Sequence, residues 1–208
     1  FRSFSVSCLT NSSNLSLCIT PPPNTILFGV DSKNIFRTTF YQDYTHTDFV
    51  GQIMPTVTKL TDESDKSVED VSYSFIPGPF VLALERAYLN PKSKVYLVIE
   101  EINRGNAASI FGDIFQLLDR EKDGNKKGNP VGQSEYPIDK VDVYSYLKSE
   151  HNIILPEDKL FIPSNLYIYA TMNTNDQNVN TLDTAFKRRW KMVKIRNTFK
   201  SDHPYSKK

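Results

Sequence analysis

The sequence predicts an α/β protein with a mainly parallel sheet, and three observations carry that prediction. Val95-Tyr-Leu-Val-Ile99 and Leu166 to Thr171 are apolar, β-branched and aromatic runs of strand length. Uninterrupted runs of this kind mark strands buried on both faces, as in a parallel sheet. Between and around them lie amphipathic helical patterns, and strands alternating with helices argue for a layered α/β fold.

Taken in order, residues 1–23 are rich in Ser and Asn and end in Pro21-Pro22-Pro23, so a poorly ordered lead-in is expected there. It has no cationic-then-apolar order, so it is not a signal peptide. Thr25-Ile-Leu-Phe28 is a short apolar run closed by Gly29, a strand and a turn. Ile35 to Tyr41 is a second strand. Thr47 to Met54 is a short helix capped by Thr45 or Thr47 and stopped by Pro55, and residues 58–70 are a polar, acidic surface loop. Val71 to Ile76 alternates like a half-exposed strand.

Pro79 suits the first turn of a helix to Leu89, with Phe80, Leu84 and Ala87 inward and Asn90-Pro91 ending it. The Val95–Ile99 strand follows. Asn106 caps a helix to about Arg120, with Ile110, Ile114, Leu117 and Leu118 as its apolar stripe. Residues 121–136 are a Gly/Asn/Lys loop, and 138–162 form a β-hairpin or a small insertion. After the Leu166–Thr171 strand come a helix from about Asn180 to Arg189 and a short strand, Lys191 to Ile195.

Composition narrows the function classes. The 208 residues are 39% hydrophobic and 24% charged, as in an ordinary globular protein. The net charge of +1 announces no general nucleic-acid surface, so DNA contact would be local or made by another segment. No apolar stretch reaches the length of a membrane span, so no membrane association is expected. Cys8, Cys18, His46, His151 and His203 are not spaced as a zinc site. Low cysteine usage fits a reducing compartment, and the expected location is cytoplasmic.

The chemistry concentrates where the strongest strand ends, in Glu100 and Glu101. In an α/β sheet that end faces the crevice where ligands bind. Paired carboxylates there suit a Mg²⁺–nucleotide complex, because Mg²⁺ takes one or two carboxylates together with phosphates.

Three motifs stand in order: Leu97-Val-Ile-Glu-Glu-Ile-Asn-Arg-Gly-Asn106, Ala170-Thr-Met-Asn-Thr-Asn-Asp176 and Leu182-Asp-Thr-Ala-Phe-Lys-Arg-Arg-Trp190. Together they resemble the AAA+ nucleoside triphosphatases of the McrB family, the GTP-hydrolysing motor subunits of modified-cytosine restriction systems. The resemblance covers about residues 24–196 and implies a P-loop NTPase-like, three-layer core at 24–198, with a tail at 199–208. Val95 to Glu101 matches Walker B. Glu100 stands where the acid that holds Mg²⁺ through water belongs, and Glu101 matches the acid that polarises the attacking water. Asn173 matches sensor 1, on the water and the γ-phosphate, and Asp176 completes the Met-Asn-x-x-Asp element. Arg188 and Arg189 match the arginines that enter a neighbour's site. A water attacking phosphate needs an oriented acceptor, and the developing charge needs cations. A guanidinium offers several donors to phosphate oxygens at once.

The resemblance further implies Mg²⁺ with GTP or ATP, a homo-oligomeric (hexameric) ring, a McrC-like endonuclease subunit, and DNA reached through another domain or partner. One departure weighs against hydrolysis. Gly29 matches the first glycine of the phosphate loop, but Val30-Asp-Ser-Lys-Asn34 follows, with no second glycine and no Gly-Lys-[Ser/Thr]. Without those glycines Lys33 does not substitute for the loop lysine. Residues 199–208 read as a tail, so the helical lid that follows the arginine helix in the family is not expected within these 208 residues. Two functions are therefore expected: an NTP-hydrolysing module, or a catalytically inactive AAA+ remnant that acts in assembly.

Overall fold

The computed structural model describes residues 5–8, 30–61, 67–122, 129–173 and 180–193. In chain order the strands are β1 (Ser5–Cys8), β2 (Ile35–Thr39), β3 (Gly51–Thr61), β4 (Ser67–Pro77), β5 (Val95–Glu100), β6 (Leu166–Met172) and β7 (Lys191–Val193). Five of them form one sheet in the order β2-β5-β6-β1-β7. The β2, β5 and β6 strands are mutually parallel, while β1 runs antiparallel to both β6 and β7. The mainly parallel sheet predicted from sequence is thus present. Within the segment expected as a lead-in, Ser5–Cys8 takes a place inside it. The Thr25–Phe28 strand and Gly29 lie outside the described residues.

The centre of the sheet follows from side-chain alternation. Val95, Leu97 and Ile99 of β5 align with Leu166, Ile168 and Ala170 of β6, and all six are buried. Helix α2 (Pro79–Leu89) packs on this face, with Phe80, Ala83, Leu84 and Ala87 fully buried and Pro79 at its first turn, as expected. On the opposite face Tyr96 stacks on Tyr167 and Tyr169, with ring centroids 5.5 and 5.9 Å apart.

Several elements differ from the sequence expectation, each for a local reason. Helix α1 (His46–Val50) starts at Thr45, whose hydroxyl and Asp48 make a reciprocal capping box. It ends at Gly51, not at Pro55, because Gly51 has φ +128° and turns the chain into β3. Of the expected loop at 58–70, residues 58–61 and 67–70 are instead the outer ends of β3 and β4, which pair from Gly51↔Pro77 to Thr61↔Ser67, and 62–66 lie outside the described residues. Pro55 fits inside β3 because a two-stranded ribbon has open edges.

Helix α3 (Ala107–Phe111) is capped by Asn106, but it is α-helical for one turn only. Gly112 has φ +51°, and a 3-10 helix, Gly112–Leu118, carries on. A Cβ at position 112 would lie 3.1 Å from His46 Nδ1, which itself is 2.9 Å from the Ile110 carbonyl. The predicted stripe of Ile110, Ile114, Leu117 and Leu118 is nevertheless buried.

Residues 138–162 contain helix α4 (Val141–His151), bracketed by an Ile138↔Leu160 bridge, rather than a hairpin. Helix α5 is shorter than expected, Thr184–Arg188, because the Asp183 carboxylate caps it by accepting from Phe186 N–H at 2.5 Å. Phe186 anchors it in an aromatic chain, 5.3 Å from both Phe111 and Trp190, and Phe111 in turn lies 5.0 Å from Phe49.

A buried cation ties the entrance of β6 to the body. Arg120 donates to the carbonyls of Ile162 (2.8 Å), Pro163 (3.3 Å) and Leu166 (2.6 Å). Burial pushes its pKa down, to about 9, which leaves it charged at neutral pH. Three carbonyls held by one rigid fork are a geometry that an ammonium cannot reproduce. Arg120→Ala is expected to cost about 1–3 kcal/mol, the range for leaving hydrogen-bond acceptors unsatisfied. Arg120→Lys is expected to recover only part of it, as read from urea unfolding midpoints. A lysine variant as stable as the parent would remove Arg120 from this role.

Candidate functional site

The candidate site lies at the carboxyl ends of β2, β5 and β6. Parallel pairing sets Thr39 beside Glu100, and β6 ends one residue before Asn173. The chain after β5 is then tied to the chain after β6. Glu101 N–H donates to Thr171 Oγ1 at 3.2 Å, and Ile102 N–H to the Thr171 carbonyl at 2.9 Å. Asn103 Nδ2 donates to the Asn173 carbonyl at 2.8 Å, and the Asn103 carbonyl accepts from Asn180 N–H at 2.7 Å. The structure therefore joins the predicted water-polarising acid and the predicted sensor through one continuous hydrogen-bonded turn.

Glu101 has a left-handed backbone, φ +54°. That conformation costs a non-glycine residue on the order of 1–2 kcal/mol. It turns the chain sharply at the sheet edge, leaving the Glu101 carboxylate about a quarter exposed, 3.1 Å from Arg104 Nε. Asn173 is 6% exposed. Asp176 and Gly29 lie outside the described residues.

Glu100 is held from the neighbouring strand. Arg37 Nη2 lies 2.6 Å from its Oε1, and Thr39 Oγ1 donates to its Oε2 at 3.5 Å. Arg37 and Thr39 share a face of β2 because side chains alternate along a strand. Arg37 thus supplies the cation that two adjacent carboxylates at a strand end require. It also competes with any metal for Glu100. Among the described residues no group of three or more His, Cys, Asp or Glu is placed to hold a metal.

The segment that precedes β2 closes as a tight 3-10 turn, Ser32–Asn34. Its N–H groups are engaged internally. Lys33 N–H donates to Asp31 Oδ1 at 3.0 Å, Asn34 N–H to the Asp31 carbonyl at 2.9 Å, and Ile35 N–H to the Ser32 carbonyl. A phosphate cradle needs several N–H groups free and convergent. The described residues before β2 do not fit a triphosphate, and the carboxylate Asp31 adds the wrong charge. The residues read from sequence as acid and sensor, Glu101 and Asn173, are thus brought together at the ends of β5 and β6, while three N–H groups of residues 31–35 are engaged within their own turn.

The two arginines separate. Arg189 is pinned: Nη2 lies 2.6 Å from Asp119 Oδ2, Nη1 donates to the Ala185 carbonyl at 3.1 Å, and the guanidinium sits 4.1 Å over the Phe115 ring. Arg188 is exposed and has no hydrogen bond or ion pair among the described residues. Sequence reasoning treated the pair as equivalent. It also missed Arg37, Asn103 and Asp119. Asn103 lies inside the quoted motif and was within reach, whereas Arg37 and Asp119 are distant in sequence and carry no local signal.

Known proteins bear on this geometry. The profile of the AAA domain (dynein-related subfamily) matches residues 26–190. The chain is 40% identical over 178 residues to the type II restriction enzyme BsuMI component YdiS of Bacillus subtilis (strain 168), covering 79% of this chain and 49% of that protein. It is 26% identical over 156 residues to the type IV methyl-directed restriction enzyme EcoKMcrB subunit of Escherichia coli (strain K12), covering 75% of this chain and 27% of that one. The chain therefore spans about half the length of the first relative and about a quarter of the second. The match covers the whole span from the segment before β2 to the end of the arginine helix, and the chain belongs to the AAA domain family, dynein-related subfamily, as a McrB-like AAA+ protein.

Proposed function

We propose that this chain is the AAA+ module of a McrB-like restriction system that does not hold nucleotide at its own site and acts in assembly, presenting Arg188 to a neighbouring subunit. The observation that carries this reading is the turn at 31–35, in which the N–H groups of Lys33, Asn34 and Ile35 are engaged within the turn where a phosphate loop would offer them. The Arg37–Glu100 pair supports it, since it satisfies the acid that would otherwise face Mg²⁺. In this role the chain packs head to tail in a homo-oligomeric, hexameric ring in the cytoplasm. A McrC-like endonuclease subunit and DNA are engaged through other segments or partners. A heterologous interface of that kind closes naturally into a ring.

A hydrolytic reading is favoured by one observation, the Glu101 turn tied to Asn173. It requires a phosphate loop between Gly29 and Ile35. In such a chain Glu101 would orient water, Glu100 and Asp176 would serve Mg²⁺ and nucleotide (GTP or ATP), and Asn173 would hold the γ-phosphate. A left-handed glutamate also suggests a residue kept for chemistry at the expense of stability.

Four measurements test these two readings. Calorimetric titration of the chain with Mg²⁺–GTP and Mg²⁺–ATP is expected to give no binding at tens of micromolar; micromolar or tighter binding would sink the first reading. Glu101→Gly is expected to melt no lower than the parent, because it relieves about 1 kcal/mol of left-handed strain. A clear drop in Tm would make Glu101 a structural residue. Finally, Arg189→Ala is expected to lose about 1–3 kcal/mol of stability, the range for a partly buried charged contact. Arg188→Ala should melt like the parent. In a version with the phosphate loop restored, Arg188→Ala is expected to abolish turnover and to be rescued by co-assembly with a Glu101→Gln subunit. Absence of rescue in mixed rings counts against a role in trans.

A further inference from the structure

The β3–β4 ribbon is amphipathic, and its apolar face is only partly covered. Register and alternation put Ile53, Pro55 and Val57 opposite Phe75, Tyr73 and Val71 on one face. The other face is mixed: it carries Thr56 and Ser74, whose hydroxyls lie 2.8 Å apart, with Gln52 and Ser72, but also the exposed Met54 and Ile76. At the base Phe75 packs on Tyr146 of α4, with centroids 5.4 Å apart. Farther out Ile53 and Tyr73 are 58% and 73% exposed, a degree of exposure that an isolated ribbon does not need for its own stability. Contiguous exposed apolar surface of this kind marks interaction sites.

Between this face and α4 runs a groove of about 1190 Å³, lined by Ile53, Tyr73 and Phe75 on one wall and by Asp142, Tyr146 and Glu150 on the other. Its floor is firm. Tyr146 donates to Glu85 Oε2 at 2.9 Å, and His151 Nε2 lies 3.3 Å from the same carboxylate, so α4 is fastened to α2. Burial, with Glu85 second, pushes the Tyr146 hydroxyl up to about 12, so it remains a donor.

The charge of the groove selects its occupant. Of its lining cations, Lys140 is paired with Asp113 at 3.0 Å and His151 faces Glu85. Asp139, Asp142 and Glu150 make no ion pair among the described residues. Asp142 lies in the first turn of α4, where the helix dipole favours an acid. Glu150 lies in the last turn, where the dipole disfavours one, so helix stability does not account for it. An acidic wall facing an aromatic and aliphatic wall repels nucleic acid and anionic lipid.

We propose that this groove docks a basic segment of a partner protein, its apolar side chains lying on Ile53 and Tyr73 and its Lys or Arg side chains facing Asp142 and Glu150. The site is separate from the nucleotide-site residues, and the proposal does not rest on any reading of them.

The test uses the whole chain and three labelled synthetic peptides. One alternates Lys with Leu and Tyr; one replaces Lys by Glu; one replaces Leu and Tyr by Ser. Fluorescence anisotropy at physiological salt is expected to show binding of the first and little of the others. Asp142→Lys with Glu150→Lys, and separately Ile53→Ser with Tyr73→Ser, are each expected to weaken it by about tenfold, or 1.4 kcal/mol. All four positions border solvent, and unchanged circular-dichroism melts establish that the variants fold. Hydrogen exchange should slow at 73–76 and 142–150 when the peptide binds. Equal binding of the Lys and Glu peptides, or binding indifferent to both double variants, overturns the proposal. So does displacement of the peptide by an oligonucleotide, or sedimentation showing self-association that Tyr73→Ser abolishes, which would assign the groove to a second copy of the chain.

Discussion

Two adjacent carboxylates at the end of the most buried strand are the constraint around which the rest of the molecule is arranged. β5 is apolar through Val95, Leu97, Val98 and Ile99, and it delivers Glu100 and Glu101 to one edge of the sheet. Negative charge beside a low-dielectric core requires cations or donors close by. The fold supplies them from two directions. Arg37 and Thr39 reach Glu100 from the parallel neighbour and Arg104 reaches Glu101 from the following turn, while Thr171 on the other side accepts the Glu101 N–H. The sheet order β2-β5-β6 is what brings Arg37 and Thr171 to opposite sides of the same pair.

The same turn explains how the two halves of the site stay in register. A left-handed residue at 101 directs Asn103 back under the end of β6, where it donates to the Asn173 carbonyl. Asn103 is 3% exposed, and its side-chain oxygen has no hydrogen-bond partner among the described residues. A buried amide held by one bond is a costly device, used where position matters more than stability. Against this ordered edge stands the closed turn at 31–35, a short route from Val30 into β2 in which the N–H groups of Lys33, Asn34 and Ile35 are engaged within the turn. The proposed function rests on that contrast.

The arginine helix shows how packing divides two residues that look alike. Phe186 and Trp190 fix α5 against Phe111, and that orientation turns Arg189 onto Phe115 and Asp119 while Arg188 faces outward. One becomes part of the helix mounting, and the other is an exposed cation with no ion pair among the described residues. The ribbon of β3 and β4 follows similar logic: its base is fixed by Phe75 on Tyr146, so its outer apolar face is held out beside α4 at a set distance.

Sequence by itself determined the parallel core strands, the carboxylate pair at their end, the helix at Pro79–Leu89, the cap at Asn106, a choice of Thr45 or Thr47 for the other cap, and the family. Each of these is written in local periodicity, in capping chemistry or in contiguous motifs. It did not determine that residues 51–77 form a long ribbon, because Gly51 and Pro55 suit a helix end as well as a strand entry until pairing decides. Nor did it determine that α3 yields to a 3-10 helix at Gly112, which depends on His46 packing from far away in the chain. The partners of Glu100 and Arg189, and the groove beside α4, arise from residues separated by 63, 70 and more positions. Such contacts are products of sheet order and helix packing, and only the tertiary structure decided them.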